Sequence, residues 1–383
     1  MNGRHTLPAI LFLAVGSVLF YACGPATPSA PTSHPPTNLP VPLTPTLKST
    51  AIPGAAGKLA LGYYTGSQGS YAALLASSTS LNMVSADVFT LRSDGSIAGS
   101  DDLGAAAFGR SRGIQTYACL NNYNSDPGVN DFDPHLAQAA IVTYKTQVIS
   151  SLVDLAQQGG FDGINIDIEN LNYSANIEQP RADFTSFIHQ LAGQLHARAI
   201  KLIISVPAKT ADSKDDAWSY PFDLAALGQD ADYLQLMTYD QHGPWSEPGP
   251  VSGADWVEDS VIYASSVVYP SRLLVGLPAY GYDWDLTSSD KSKNTYSAHD
   301  FSWTDVPALL AKPAAAVHWD AGSQSPYVTY TVNGHDHVAW YENPQSIRAK
   351  TELITKYNLA GFAMWALGKE DQGFWQASLA GTK

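Results

Sequence analysis

FDGINIDIEN, residues 161–170, alternates Ile164, Ile166 and Ile168 with Asn165, Asp167 and Glu169. Strand side chains point to opposite faces in turn, so the isoleucines share one face and the polar groups the other. In an antiparallel sheet the polar face would simply meet solvent. The rest of the chain argues for a different setting. Short apolar runs recur at 59–65, 83–91, 114–120, 162–169, 201–207, 233–240, 273–281 and 360–367, so this stretch is the fourth of eight candidate strands. Helical spacing falls between most of them, at 69–79, 135–158, 181–199, 255–268 and 343–357. The last helix has the clearest boundaries: Asn343 as N-cap, Pro344 in the first turn, Asn358 as the stop. Repeated strand–helix alternation predicts an α/β fold, a (β/α)8 TIM barrel. A doubly wound open sheet is the alternative. No G-x-G-x-x-G turn follows the first strand to support it as a dinucleotide-binding sheet.

In a parallel barrel, helices cover the outside and side chains fill the inside. The isoleucines then meet helices, while Asn165, Asp167 and Glu169 point inward. Glu169 falls at the C-terminal end of its strand, where barrel enzymes hold their active sites. Buried carboxylates are costly unless hydrogen-bonded or used. Crowded there, they titrate together, and one can stay protonated near neutral pH and act as an acid.

Residues 285–342 are too long for a strand-to-helix loop. Within them Tyr327–Val332 and His337–Tyr341 flank Asn333-Gly334, a hairpin turn signal, which predicts a small α+β insertion after strand seven.

The ends and the composition set further bounds. Arg4 and His5 precede an apolar run over 7–22, the form of a secretory signal over 1–22. Ala22-Cys23-Gly24 resembles a bacterial lipobox, with Phe20 where an aliphatic is usual, so Cys23 is the expected lipidation site of an exported, cell-surface lipoprotein; secretion without lipid is the alternative. Residues 23–57 hold nine prolines among Thr, Ser and Ala, a composition suited to a tether. Cys119 is the one other cysteine, so no internal disulfide is expected. Stability has to come from a core built by residues 58–383. The net charge of −14, with no basic block, excludes nucleic acid as a partner and leaves a lipid anchor as the one link to a membrane. A monomer is expected.

The residues 162–169, D-G-I-N-I-D-I-E, closely resemble the D-G-x-D-x-D-x-E signature of glycoside hydrolase family 18, the chitinase-like barrels. Gln235-Leu-Met237-Thr-Tyr239-Asp240 looks like that family's M-x-Y-D strand, and Trp365 lies where the family places its substrate-floor tryptophan. The insertion after strand seven is also a family feature. Asn165 departs from the usual Asp. With GYDW at 281–284 and MWALGKED at 364–371, it brings the chain nearest a bacterial branch of spore-germination-type peptidoglycan N-acetylglucosaminidases.

The resemblance implies a retaining glycosidase that cuts β-1,4 bonds after N-acetylglucosamine with help from the substrate's own acetamido group. Peptidoglycan is the first substrate and chitin or chito-oligosaccharides the second. By the same resemblance Glu169 is the acid, Asp167 orients the acetamido N–H, and Tyr239 bonds the acetamido oxygen. Asn165, Gln235, Met237 and Asp240 would line or support the sugar site, with Trp365 as its floor. Asn165, which replaces a like charge, is expected to let Asp167 ionise at lower pH. Tyr64, Asn122 and Tyr280 lie near strand C-terminal ends and are candidate sugar contacts. Tyr63, Phe89, Tyr282 and Trp284 are weaker candidates. Trp319, Tyr327, Tyr330 and Trp340 could wall the cleft or pack the insertion. His335-Asp-His337 lacks a third ligand, and neither a metal nor a cofactor is expected. A sugar-binding lectin on the same barrel is the rival reading, and the presence of Glu169 weighs against it.

Overall fold

The computed structural model describes residues 57–293 and 295–383. The expected signal peptide, Cys23 and all but the last residue of the Pro-rich tether lie outside them. Eight parallel strands close on themselves: β1 (Leu59–Tyr64), β2 (Met83–Leu91), β3 (Gln115–Asn121), β4 (Gly163–Asp167), β5 (Lys201–Pro207), β6 (Tyr233–Met237), β7 (Leu273–Pro278) and, after the insertion, β13 (Gly361–Trp365). Each pairs with the next, and β13 pairs with β1, which completes the barrel. This is the TIM barrel that the alternation of elements predicts, and the open-sheet alternative is excluded.

Helices cover the outside: α1 (Gln68–Ala76), α2 (Ala105–Ser111), α3 (Lys145–Gly159), α4 (Glu178–His196), α5 (Leu224–Asp230), α6 (Ala254–Val267), α7 (Pro344–Lys356) and α8 (Gln372–Gly381). Ile164, Ile166 and Ile168 are fully buried between β4 and this layer, among Phe184, Ile188 and Leu191 of α4. Each contributes roughly 2 kcal/mol of burial. At α7, Asn343 Oδ1 accepts from the Ser346 amide at 2.9 Å, Pro344 sits in the first turn, and Asn358 at φ 53° ends the segment. The single helix expected over 135–158 is broken: a short helix and one π turn lead to Tyr144, and α3 starts after it.

The insertion begins at Tyr280, earlier than the expected residue 285, because the run 273–281 is two strands rather than one. β7 ends at Pro278, and β8 (Tyr280–Asp290) opens a five-stranded antiparallel sheet with β9 (Thr295–Ser302), β10 (Ala316–Asp320), β11 (Ser325–Val332) and β12 (His335–Trp340). Asn333 and Gly334 take φ of 54° and 82° between the paired Val332 and His335, the left-handed turn their side chains favour. One face of this sheet presents Tyr280, Tyr282 and Trp284, packed with Tyr239 and Trp365 at the barrel mouth. The other face buries Val328, Tyr330 and Ala339 over Leu309.

Candidate active site

The barrel interior changes character along its axis. One part is apolar: Leu61, Met83, Tyr117, Ile203, Tyr233 and Leu274 fill it. Gly163 is needed there, since a Cβ would come within 2.4 Å of the Tyr117 ring. Further along lies a neutral hydrogen-bonded layer drawn from β1, β2, β4, β5 and β6. Asn165 Nδ2 donates to Tyr63 Oη at 2.9 Å and to Ser85 Oγ at 3.0 Å, and Asn165 Oδ1 accepts from Ser205 Oγ at 3.3 Å. Tyr63 Oη donates in turn to Gln235 Oε1 at 3.3 Å. Asn165 and Gln235 are fully buried, so they hold their neighbours and present nothing to solvent.

The acids lie above this layer. Asp167 is buried, and its Oδ1 has no hydrogen-bond partner among the described residues. Its carboxyl is pushed up to about 7, first by burial and then by the charge of Asp87 on β2. Asp87 had no part in the sequence expectations. Its carboxylate, the Cys119 thiol and the Asp167 carboxylate place one oxygen or sulfur each within 4.8 Å of one another. Among the described residues this is the one cluster with metal-ligand spacing. Burial, and then Asp87 and Asp167, hold the Cys119 thiol far above its ordinary range, so it stays protonated and is a poor metal ligand.

Glu169 follows the end of β4 and is half-buried at the cleft. Its carboxyl is raised well above the usual range by burial, then by the charges of Asp167, Asp240, Asp87 and Asp131. It is therefore a protonated acid at neutral pH. Asn122 sets its place. Asn122 Nδ2 donates to the Glu169 carbonyl at 2.8 Å and Asn122 Oδ1 accepts from the Glu169 amide at 2.9 Å. Asn122 is itself fully buried and also donates to the Asp133 carbonyl. It is a clamp on the acid, not the sugar contact expected from its position.

Tyr239 follows β6 and its ring meets Tyr280 edge-on at 6.4 Å. Burial, and then Tyr63, Asp167, Glu169 and Asp240, keep its phenol protonated and able to donate. Gly276 makes room for it, because a Cβ there would stand 2.8 Å from Tyr239 Cε1 and 2.5 Å from the Leu236 carbonyl. Asp240 accepts from Tyr280 Oη at 2.6 Å and Tyr282 Oη at 3.0 Å. It is exposed, yet burial among surrounding atoms raises its carboxyl; Met237 is buried beside these groups. Trp365 is half-buried, 5.3 Å from the Tyr63 ring centroid, and a cis peptide joins it to Ala366.

Tyr64 is a correction. Strand alternation sends Tyr63 into the barrel and Tyr64 outward, where it packs on Tyr71 of α1 and cannot reach sugar. Phe89 likewise packs in the outer core, and Trp284 is wholly buried in the insertion. Tyr280 is mostly buried but touches the site through Asp240. Trp245 was missed by sequence reasoning: it is 55% exposed on the loop after β6, with its ring edge-on to Tyr282 at 6.2 Å. Its one signal was position, a tryptophan shortly after Tyr239-Asp240.

A parallel barrel whose C-terminal mouth holds a protonated glutamic acid over a buried aspartate, walled by aromatic rings, defines a glycosidase of the chitinase type. The sequence profile of the glycosyl hydrolases family 18 matches residues 120–370, and the chain belongs to that family. The chain is 36% identical over 332 residues to the uncharacterized glycosylase YvbX of Bacillus subtilis, covering 86% of this chain and 92% of that one. It is 27% identical over 227 residues to the cortical fragment-lytic enzyme of Bacillus subtilis, spanning 59% of this chain and 51% of that one. The crystal structure of a chitinase from Chromobacterium violaceum superposes with a TM-score of 0.77 at 37% identity, over 85% of this chain and 98% of that one. The protein is a glycoside hydrolase that acts on N-acetylglucosamine-containing polymers.

Proposed function

We propose that this enzyme cleaves β-1,4 bonds on the reducing side of N-acetylglucosamine with retention of configuration, using the substrate's acetamido oxygen as nucleophile. Glu169 protonates the leaving glycosidic oxygen. The acetamido oxygen attacks the anomeric carbon as the glycosidic bond breaks, giving an oxazolinium ion. Water, deprotonated by the Glu169 carboxylate, then opens the ion and returns the proton. Asp167 accepts the acetamido N–H and offsets the positive charge. Tyr239 donates to the acetamido oxygen and fixes its approach.

One observation carries this reading. Asp167 Oδ1 is buried without a partner two residues before the protonated Glu169. A buried carboxylate oxygen left unpaired costs about 1–3 kcal/mol, which an arriving amide N–H offsets. No second carboxylate stands free in the cleft as a nucleophile: Asp240 is engaged by two tyrosine hydroxyls.

Peptidoglycan is the first substrate, supported by the lipobox-like start, the Pro-rich tether and the likeness to a cortical fragment-lytic enzyme. The likeness to a solved chitinase favours chito-oligosaccharides as the second. Export with a lipid on Cys23 would hold the enzyme at the wall. The test is sugar release by residues 54–383 from isolated peptidoglycan and from chito-oligosaccharides, with products read by mass spectrometry and anomeric configuration by NMR. Retained β-product supports the mechanism; an α-product overturns it. Release from one polymer alone names the substrate.

A further inference from the structure

Asn165 leaves β4 with a single inward-facing acid below Glu169, yet Asp167 is not a solitary charge. Asp87 reaches it from β2, on the far side of β3. The register sets Asp87 beside Cys119 and Cys119 beside Asn165 across the three strands, and a bulge after Asp87 shifts the ladder there. Asp87 is fixed by Asn121, whose Nδ2 donates to Asp87 Oδ1 at 2.8 Å. Thus one acid of the cluster is anchored by a donor, and the other has a buried oxygen with none.

We propose that Asp87 is the positioning residue of Asp167: the two carboxyls form a buried pair across β2 and β4 that holds one proton between them and so sets the pH at which Asp167 becomes the carboxylate that receives the substrate amide. This rests on the reading of Asp167 as the acetamido partner. Two acids this close, away from water, cannot both ionise freely. Asn121 favours the charge on Asp87, so Asp167 keeps the proton in the acidic range. Arrival of the amide N–H and of positive charge at the anomeric carbon draws the negative charge onto Asp167.

The other titratable groups that bear on Asp167 and Asp87 are Tyr63 from β1, Cys119 from β3, and Glu169, Tyr239 and Asp240 at the rim. Tyr63, Cys119 and Tyr239 are held protonated, while Glu169 and Asp240 are acids of the same sign as the pair. Lys369 stands over the Tyr280 ring at 5.5 Å and acts on Asp240. Asn165, neutral and bound to Tyr63, Ser85 and Ser205, spares the pair a third negative charge.

The experiment compares wild type, Asp87→Asn and Asp87→Asn with Asn165→Asp, all as residues 54–383. Side-chain carboxyl carbon NMR follows the titration of Asp167, assigned by its loss in Asp167→Asn, and needs no substrate. Rate against pH on N-acetylglucosamine oligosaccharides is measured in parallel. Asp87→Asn is expected to move the Asp167 midpoint and the acidic limb of the rate profile down by about one unit or more. The double variant restores a like charge beside Asp167 and is expected to move both back up. A folded Asp87→Asn protein with an unmoved midpoint overturns the pairing. If Asp87→Asn does not fold, Asn121→Ala takes its place: loss of the donor weakens the charge on Asp87 and lowers the Asp167 midpoint, and an unchanged or raised midpoint overturns the proposal. A shifted midpoint in a protein that releases no sugar would uphold the pair and sink the substrate reading alone.

Discussion

Asn122 grips both backbone polar groups of Glu169, donating to its carbonyl at 2.8 Å and accepting from its amide at 2.9 Å. The acid thus leaves β4 with its main chain locked, while its carboxyl faces the cleft. Asn122 sits in the chain just after β3, so the loop that follows one strand aims the functional group of the next.

Asn122→Ala removes that clamp and leaves two buried backbone groups unpaired. Stability should fall by about 1–3 kcal/mol, read as a lower midpoint in urea. The turnover number should drop roughly 10–100-fold with little change in KM, because the acid is misplaced while the sugar contacts remain. A large rise in KM instead would return Asn122 to the role of sugar contact.

Glu169→Gln keeps the shape and loses the proton. Turnover should fall by about 10²–10⁴, while oligosaccharide binding by calorimetry stays within a few-fold of wild type. Retained activity in this variant would mean that another group protonates the leaving oxygen.

Asp167 links the site to stability through pH. Its carboxyl sits at about 7 in the folded protein and at about 3.9 in an unfolded chain. Between those values the folded state binds more protons, so this group destabilises the fold as pH rises. Asp167→Asn should therefore raise the melting temperature at pH 8, by an amount on the order of a few kcal/mol in stability. The gain should shrink toward pH 4, where both states are protonated. A gain of equal size at both pH values would rule out this linkage.

Gly276→Ala tests the packing that seats Tyr239. A Cβ there would stand 2.5 Å from the Leu236 carbonyl, 2.8 Å from Tyr239 Cε1 and 2.9 Å from Gln235 Nε2. The backbone contact cannot yield, so Tyr239 has to move, and turnover should fall by roughly 10-fold or more in a protein that still folds. Unchanged turnover would show that Tyr239 is not held by this contact.

Local residue order was enough to determine the barrel. Ile164, Ile166 and Ile168 alternate with Asn165, Asp167 and Glu169, and alternation is a property of any strand, so the inward face of β4 was readable from the chain itself. The Asn333-Gly334 hairpin and the Asn343 cap of α7 were readable for the same reason, since each depends on neighbours within a few residues. The same rule, applied to Tyr63 and Tyr64, would have sent one inside and the other out.

Tertiary structure alone decided the contacts between strands. Asp87 meets Asp167 across an intervening strand, Asn122 turns back onto Glu169, and Tyr280 and Tyr282 cross from the insertion to Asp240. Each pairing joins residues at least 40 positions apart. Their distances are set by register, by a bulge after Asp87 and by barrel closure, and none of these is written in local periodicity. The charge state of the site follows those distances, because Coulomb interaction and burial depend on where groups lie in space and not on their order along the chain.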